Sequence, residues 1–376
     1  MKTSLKHYLL DVWLPRKKNE LKVSTYTRYE GLSKRIITQL GKLSVDKVKP
    51  NDIYGFYNYL YEVETEQTVY SPNNNCINLL TIKGRGSLKV YQYSTVMKNN
   101  NVTEKTAKAI SEYLNLGVEV LFYRKAKHLS DRTISHYHKI LFGVFKDAIY
   151  DGVCKDNVMN KVRPPRISDS KEPICLDEAT CTEVIKHLKA YAVYPFREIL
   201  LLIIYTGLRR GEACGLEWGD IDYKNETITV RRASYYLPKR GIYTDDLKTK
   251  KAYRSISFDK KVLKILTDVM NIQKTILSED NINSRTRLFT NADGSLLNPN
   301  SVTKYYHNFI QTYDLPKSTV HSLRHTNASL MIAAGVPITT ISARLGHSNS
   351  EITLRCYAHQ LSSENKKAAK AIEKMI

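Results

Sequence analysis

The sequence has 376 residues, 42% of them hydrophobic, so it is long enough for two domains of ordinary size, each with its own core. It carries 58 Lys and Arg against 37 Asp and Glu, a net charge of +21, and this excess favours a polyanionic partner such as nucleic acid. No apolar run is long enough to span a membrane, the first twenty residues are too charged for a signal peptide, and the six cysteines form no CxxC pair. We therefore expect a cytoplasmic protein with reduced thiols and no membrane partner.

The N-terminal part predicts a helical domain over residues 1–168. Two amphipathic helices are expected within residues 21–61, the first capped by Ser24 or Thr25, and another within residues 130–150. The apolar face of this last helix extends to Ile149, and its other face is basic, which suits either solvent or DNA phosphates. Candidate DNA contacts on these helices are Thr25, Arg132 and Lys139.

An insertion at about residues 64–128 interrupts this helical domain. Residues 62–75 are polar and predict a loop, whereas Thr103 can cap a helix that follows a run of three asparagines. The later part of the segment resembles the later helices of a phage-repressor-type helix-turn-helix. A purely structural insertion is the alternative interpretation, and the role of the segment stays open.

Residues 163–172 predict a linker, because two prolines prevent helix continuation and Arg166 is placed to lie along DNA. The following residues, 173–376, predict a mainly helical domain with one small antiparallel sheet, formed by residues 227–231 and 253–258. The expected fold class is thus mainly α with a small β-sheet (α+β), in two domains. Helices are predicted at residues 177–191, 195–205, 260–274, 300–312, 320–334, 338–345 and 362–376, the last as a lysine-rich tail.

Several side chains of this second half are of the types that break a phosphodiester reversibly without a metal. A fixed cation must neutralise the phosphate, a proton donor must serve the leaving oxygen, and the nucleophile must conserve the bond energy. Arginine, lysine or imidazole, and a tyrosine hydroxyl meet these needs. With 26 tyrosines in the chain, the spacing of the motifs has to select the candidates. They are Arg209, Lys248, His321, Arg324, His347 and Tyr357, with Glu212 beside Arg209.

The motifs around these residues resemble those of the tyrosine recombinases, or phage-type integrases. They are, in order, TGLRxxE from Thr206, KTKxxxR from Lys248, HxLRHT from His321, LGH from Leu345 and TxxxYxH from Thr353. The likeness covers residues 173–360 and is closest to integrases of phages and conjugative transposons. More loosely, residues 20–61 and 130–168 resemble the helical core-binding domain of the family. Many integrases begin with a separate arm-binding domain, and none is evident here.

The resemblance implies that Tyr357 attacks the scissile phosphate, giving a 3′-phosphotyrosine and a free 5′-hydroxyl. Arg209 and Arg324 would hold the non-bridging oxygens of that phosphate. Glu212 would orient Arg209 through an ion pair and would not meet the substrate.

The remaining roles concern protons and positioning. By the same resemblance, Lys248 would protonate the departing 5′-oxygen, although Lys250 lies in the same loop and is the alternative, or else a DNA contact. His321 would act in proton transfer at the tyrosine. His347 would bind the phosphate or position the nucleophile. The resemblance implies no metal and no nucleotide cofactor.

The predicted function is that of a site-specific integrase of a mobile genetic element. The resemblance implies a two-domain DNA clamp, a homotetramer on double-stranded attachment sites, strand exchange through a Holliday junction, and a possible accessory DNA-bending or excision factor. The tail at residues 362–376 would pack on a neighbouring protomer, and the protein would lie in a prokaryotic cytoplasm, associated with the nucleoid when bound to DNA. The alternatives are a type IB topoisomerase-like enzyme and a DNA-binding regulator without catalysis.

Overall fold

The computed structural model describes residues 3–64, 69–126, 128–167, 174–238, 240–247, 252–277 and 281–346. Within these ranges the chain divides into two compact units, the first inside residues 1–170 and the second inside residues 171–376. The fold class is mainly α with small sheets, as the sequence predicted. Among the described residues, no helix is both long enough and apolar enough to cross a membrane.

The first unit contains nine helices and one small sheet within its described ranges. A π-helical turn, Tyr8–Trp13, joins the first two helices. The helices are α1 (Leu5–His7), α2 (Leu14–Glu20), α3 (Val23–Leu40), α4 (Pro50–Glu62), α5 (Asn74–Lys83), α6 (Val90–Met97), α7 (Glu104–Leu114), α8 (Val118–Leu121) and α9 (Asp131–Tyr150), and the strands are β1 (Val69–Pro72), β2 (Val102–Thr103) and β3 (Phe122–Lys125).

The helical core of this unit is built from both ends of its sequence. Trp13 stacks on Tyr29, and its indole N–H donates to Asp147 Oδ2 at 2.8 Å, which ties the N-terminal helices to α9. Helix α9 begins after Ser130, close to the predicted position, and the Ser130 hydroxyl accepts from the backbone N–H of Thr133. Local capping and apolar periodicity are sufficient to place this helix.

Two expectations for these helices are wrong. Helix α3 begins at Val23, two or three residues earlier than predicted, with Lys22 at its N-cap, so Ser24 and Thr25 lie inside its first turn. Ile149, expected to face the core, is 38% exposed. The core-facing stripe of α9 ends at Ala148, and Ile149 and Tyr150 lie on the exposed side of its last turn.

The insertion contains a three-stranded antiparallel sheet in the order β2-β1-β3. The prediction of a loop over residues 62–75 is therefore wrong for Val69–Pro72, which form the central strand. The paired residues lie 32 to 56 positions further along the chain, from Val102 opposite Tyr70 to Lys125 opposite Val69, and a segment of four residues carries no local signal for them. The predicted cap at Thr103 is confirmed, since its hydroxyl accepts from the backbone of Thr106.

The second unit contains seven helices and two small sheets within its described ranges. The helices are α10 (Glu178–Tyr191), α11 (Phe196–Thr206), α12 (Arg210–Gly215), α13 (Lys260–Ile276), α14 (Pro299–Thr312), α15 (Val320–Ala333) and α16 (Ile338–Leu345), and the strands are β4 (Ile221–Asp222), β5 (Thr227–Val230), β6 (Arg232–Leu237), β7 (Gly241–Asp246) and β8 (Arg254–Ser257).

The predicted pairing of two strands is confirmed, because β5 and β8 are antiparallel neighbours in the sheet β4-β5-β8. One sheet was expected in this unit, however, and the connection between these strands contains a second one, the hairpin β6–β7. Its strands carry tyrosines and charged residues, most of them half-buried, and the alternation of apolar residues that identifies a strand is weak. The hairpin leads directly into the segment that contains Lys248.

Helix α11 is the centre of the second unit. Nearly all of its side chains are buried, and α10, α13 and α15 pack around it. Asn327 of α15 donates its amide N–H to the carbonyl oxygen of Ile204 at 2.8 Å. This contact satisfies a carbonyl in the last turn of α11, which has no partner within the helix, and it fixes α15 beside the point where α11 ends.

Candidate active site

The site begins where α11 ends. Gly207 terminates this helix with φ +69°, in the left-handed region that favours glycine. A Cβ at this position would collide with the side chains of Leu345 and Asn327. Arg209 follows as the N-cap of α12, so the sequence TGLR turns the chain sharply and places the arginine on a rigid core element.

Glu212 is the electrostatic centre of the site. Its side chain is 2% exposed, and it accepts from Arg209 twice, through the backbone N–H at 2.8 Å and through Nη1 at 2.7 Å. Arg254 of β8 donates from Nη1 at 3.2 Å and from Nη2 at 2.8 Å. Burial alone would raise the pKa of the Glu212 carboxyl, but the ion pairs with Arg254 and Arg209 outweigh it and lower that pKa. The carboxylate is therefore charged at neutral pH.

Arg254 is the residue of the site to which the sequence analysis assigned no role. It is 5% exposed, and besides its two bonds to Glu212 it donates from Nε to the carbonyl oxygen of Arg344 at 2.7 Å. One guanidinium thereby joins β8, α12 and the last turn of α16. The arginine at the end of the motif KTKxxxR was the available signal, but its partner lies 42 residues away and the spacing does not reveal it.

Arg324 occupies the interior of the same cluster. It is 1% exposed, and it donates to the carbonyl oxygens of Gly207 at 2.7 Å and Leu345 at 2.6 Å, while its Nη1 lies 3.9 Å from Glu212 Oε2. Arg209 makes a parallel contact, from Nη2 to the carbonyl oxygen of Gly346 at 3.1 Å. Both α11 and α16 end in a left-handed glycine, and the carbonyls at these two helix ends attract the arginines.

His321 lies one turn before Arg324 on α15, and its ring centroid is 4.5 Å from that of His325. The residue is exposed at the surface, but the surrounding protein partly desolvates its ring. This partial desolvation, together with His325 and the positive charges of Arg324 and Arg209, lowers the pKa of His321 to about 4. The imidazole is therefore neutral at pH 7 and able to accept a proton.

The structure thus brings together four of the predicted residues, namely Arg209, Glu212, His321 and Arg324, from helices α12 and α15. The other predicted members of the site lie outside the described residues, and they are Lys248, Lys250, His347 and Tyr357. The predicted tail helix at residues 362–376 also lies outside them. Among the candidate DNA contacts, Arg132, Lys139 and Arg166 are exposed and Thr25 is half-buried.

The charges of the cluster favour an anionic substrate. Three guanidinium groups surround one carboxylate, which leaves a local excess of positive charge. Arg209 has a side chain that is 39% exposed, so part of this excess faces solvent. A planar guanidinium held by a buried carboxylate is pre-organised for two-pronged binding of phosphate oxygens. The fold and the site together define a class of protein in which fixed guanidinium groups and a neutral imidazole suit a phosphodiester substrate.

Comparison with known proteins identifies the class more closely. Residues 176–364 match the phage integrase family, and residues 7–61 match the phage integrase N-terminal SAM-like domain. The chain belongs to the phage integrase family. It is a tyrosine recombinase, an enzyme that cleaves and rejoins DNA.

Relatives in sequence come from mobile elements and bacterial genomes. The chain is 26% identical to the ICEBs1 integrase of Bacillus subtilis (strain 168) over 286 residues, which are 72% of this chain and 75% of that protein. It is 25% identical to a protein described as tyrosine recombinase XerC-like from Caldanaerobacter subterraneus subsp. tengcongensis over 273 residues, 66% of this chain and 67% of the relative.

Two solved structures show the likeness in fold. The Tn1549 transposon integrase in complex with circular intermediate DNA superposes with a TM-score of 0.65 at 19% identity, covering 94% of this chain and 95% of that one. A lambda integrase tetramer bound to a Holliday junction gives a TM-score of 0.53 at 15% identity, covering 93% and 76% of the two chains. At these identities the structural likeness is evidence for the fold.

Proposed function

We propose that this chain is the integrase of a mobile genetic element, which cuts and rejoins double-stranded DNA at specific attachment sites. The observation that carries the proposal is the cluster centred on Glu212, in which one buried carboxylate holds Arg209 and Arg254 and lies close to Arg324. Burying these charges costs desolvation free energy, and a functional reason for doing so is that the cluster presents fixed positive charge to a phosphodiester.

In the proposed reaction, Arg209 and Arg324 bind the non-bridging oxygens of the scissile phosphate. Arg209 is already partly exposed, whereas Arg324 is buried, so its contact with phosphate requires the residues that cover it to move aside when DNA binds. Glu212 orients Arg209 and does not touch DNA. Arg254 is a positioning residue, because it acts through Glu212 and through the backbone of Arg344.

The proton transfers fall to the remaining groups. Tyr357 attacks the phosphorus, the bond to the 5′-oxygen breaks, and a 3′-phosphotyrosine forms. His321, neutral at pH 7, takes up the phenolic proton, and Lys248 delivers a proton to the departing 5′-oxygen. His347 supports the phosphate or the nucleophile. Attack by the freed 5′-hydroxyl of a partner strand reverses these steps and rejoins the DNA.

The proposed oligomer follows from the need to cut and exchange strands on two DNA duplexes. Four protomers on two attachment sites exchange strands in pairs through a Holliday junction, and the tail at residues 362–376 packs on a neighbouring protomer. The lambda integrase tetramer on a Holliday junction supports this assembly by its fold. An accessory factor that bends DNA or directs excision is part of the proposal.

A suicide substrate tests the proposal directly. A duplex that spans the joined ends of the element is nicked close to the cleavage position, so that the freed fragment diffuses away and the covalent complex accumulates. The wild-type chain is expected to form a covalent protein–DNA product that survives denaturation, and Tyr357→Phe is expected to form none. A product that persists in Tyr357→Phe assigns the nucleophile to another residue. Absence of product with the wild-type chain bound to the site rejects catalysis in favour of a regulator.

A further inference from the structure

The insertion is a small domain with a core of its own. Residues 69–126 lie between the two ranges that match the phage integrase family and its SAM-like domain. Their buried apolar side chains form a cluster separate from that of the surrounding helices, made of Cys76, Leu80, Leu88, Val96, Val102, Ala107, Ile110, Leu121 and Phe122. A segment that needed only to connect α4 to α9 would not require a separate core.

The domain is attached in a way that leaves the helical core intact. Glu64 and His128 form an antiparallel bridge at its two ends, and Arg124 pairs with Glu64 at 3.2 Å. Strands β1 and β3 continue this antiparallel pairing within the insertion, so its first and last residues lie next to each other. Insertions with adjacent ends are the kind that a folded domain tolerates.

Within this domain, α5 and α6 pack on each other and are joined by a turn that contains two glycines. Gly84 has φ +70° and Gly86 has φ +48°, and the hydroxyl of Tyr113 lies 3.2 Å from the carbonyl oxygens of Lys83 and Gly84. The ring of Tyr113 lies so close to Gly86 that a Cβ there would collide with it. The turn between the helices is therefore fixed by α7, and two helices joined by a fixed glycine turn form the unit that presents a helix to the major groove of DNA.

The charges of the domain are segregated. Residues 69–103, which include α5 and α6, contain four basic residues and no acidic residue, whereas the three glutamates of the domain lie on α7 and α8. Lys89 and Lys98 are exposed and flank α6 at its two ends, and between them α6 buries Gln92 and Val96. A helix that enters the major groove lies along it, and its diameter of about 10–12 Å fills the groove, so lysines at the two ends of α6 come near the phosphates that border it.

We propose that residues 69–126 form a second DNA-binding module, which places α6 in the major groove of duplex DNA and contacts phosphates through Lys89 and Lys98. The partner is duplex DNA because residues 69–103 carry four basic residues and no acidic one, and because a rigid helix flanked by two lysines fits a groove between two phosphate backbones. The module adds its own contacts to those of the recombinase core and extends the length of DNA that each protomer covers.

Hydrogen–deuterium exchange on the full chain tests this module without requiring catalysis. Addition of a random-sequence duplex is expected to slow exchange in peptides covering residues 84–98 and to leave those covering α7 unchanged. A matched pair of variants then measures the contribution of charge: Lys89→Gln with Lys98→Gln, against Lys105→Gln with Lys108→Gln on α7. Both pairs remove two positive charges from exposed positions of the same domain.

The first pair is expected to reduce the dependence of log affinity on log salt concentration by about 2, one for each lost phosphate contact, and the second pair to leave it unchanged. Equal effects of the two pairs, or exchange at residues 84–98 that duplex DNA does not alter, overturn the proposal. Protection of these residues by single-stranded RNA of the same length, but not by the duplex, assigns the surface to another partner and overturns it as well. Because Tyr357→Phe chains serve equally well in this assay, its outcome is independent of the recombination reaction.

Discussion

Replacement of Glu212 by glutamine is the sharpest test of how the site is held together. The substitution keeps the shape of the side chain but removes the charge that Arg209 and Arg254 share, at distances of 2.7 and 2.8 Å. It also replaces one acceptor oxygen by an N–H group that points at guanidinium donors. The two arginines and the nearby Arg324 then repel each other without a buried counter-charge.

The expected loss is large for a single substitution. Removing one partner of a buried ion pair costs about 3–5 kcal/mol, because the remaining charge is left without compensation. Since the carboxylate is 2% exposed, solvent screening does not reduce this figure much. For a unit of this size, each kcal/mol lowers the melting temperature by about 2–4 °C, so Glu212→Gln is expected to melt about 10 °C below the wild type.

The pH dependence provides a second measurement. The ion pairs hold the folded-state pKa of Glu212 below its ordinary value of 4.5. A lowered pKa contributes stability that is fully present above the ordinary value and is lost as the pH falls through the folded-state pKa. The difference in unfolding free energy between wild type and Glu212→Gln is therefore expected to be constant from pH 8 to about pH 6 and to shrink in acid.

Chemical denaturation at several pH values measures this difference, with Glu183→Gln on the exposed face of α10 as the control. The control is expected to change the unfolding free energy by less than about 0.5 kcal/mol. A loss below about 1 kcal/mol in Glu212→Gln, or a difference that does not shrink in acid, refutes the view that this carboxylate anchors the arginines.

Two further predictions follow from the same site. Gly207→Ala is expected to destabilise the second unit by about 1–3 kcal/mol in denaturant titration, because it adds a collision with Leu345 to the strain of φ +69°. Gly241→Ala is the control, since Gly241 has φ +76° but open space where a Cβ would lie. A comparable loss in the control would attribute the effect to backbone strain alone. His321, with its pKa lowered to about 4, is expected to show no imidazole titration between pH 8 and pH 5.5 in NMR spectra assigned with His321→Gln. A midpoint near its ordinary pKa of 6.5 would contradict the proposed desolvation.

Elements fixed by local chemistry were predictable from the sequence. Ser130 and Asp177 cap helices at the predicted positions, because a side-chain cap and an apolar period act within one or two turns. Helix α16 has the predicted bounds, since Pro337 precedes it and the left-handed Gly346 ends it. Elements defined by distant partners were not. Strand β1 has only four residues, and the hairpin β6–β7 lacks a clear alternation of apolar and polar residues, so these segments become strands only because other segments offer them hydrogen bonds.

For the candidate site, the sequence by itself determined which residue types are present and in what order. The motifs select Arg209, Glu212, His321 and Arg324, and the composition explains why a polyanion is the partner. Only the tertiary structure decided how these residues are held. The fold brings Arg254 to Glu212 and buries Arg324 against the ends of α11 and α16, because ion pairs between segments depend on packing. The same packing partly desolvates His321 beside two arginines, and that environment lowers its pKa.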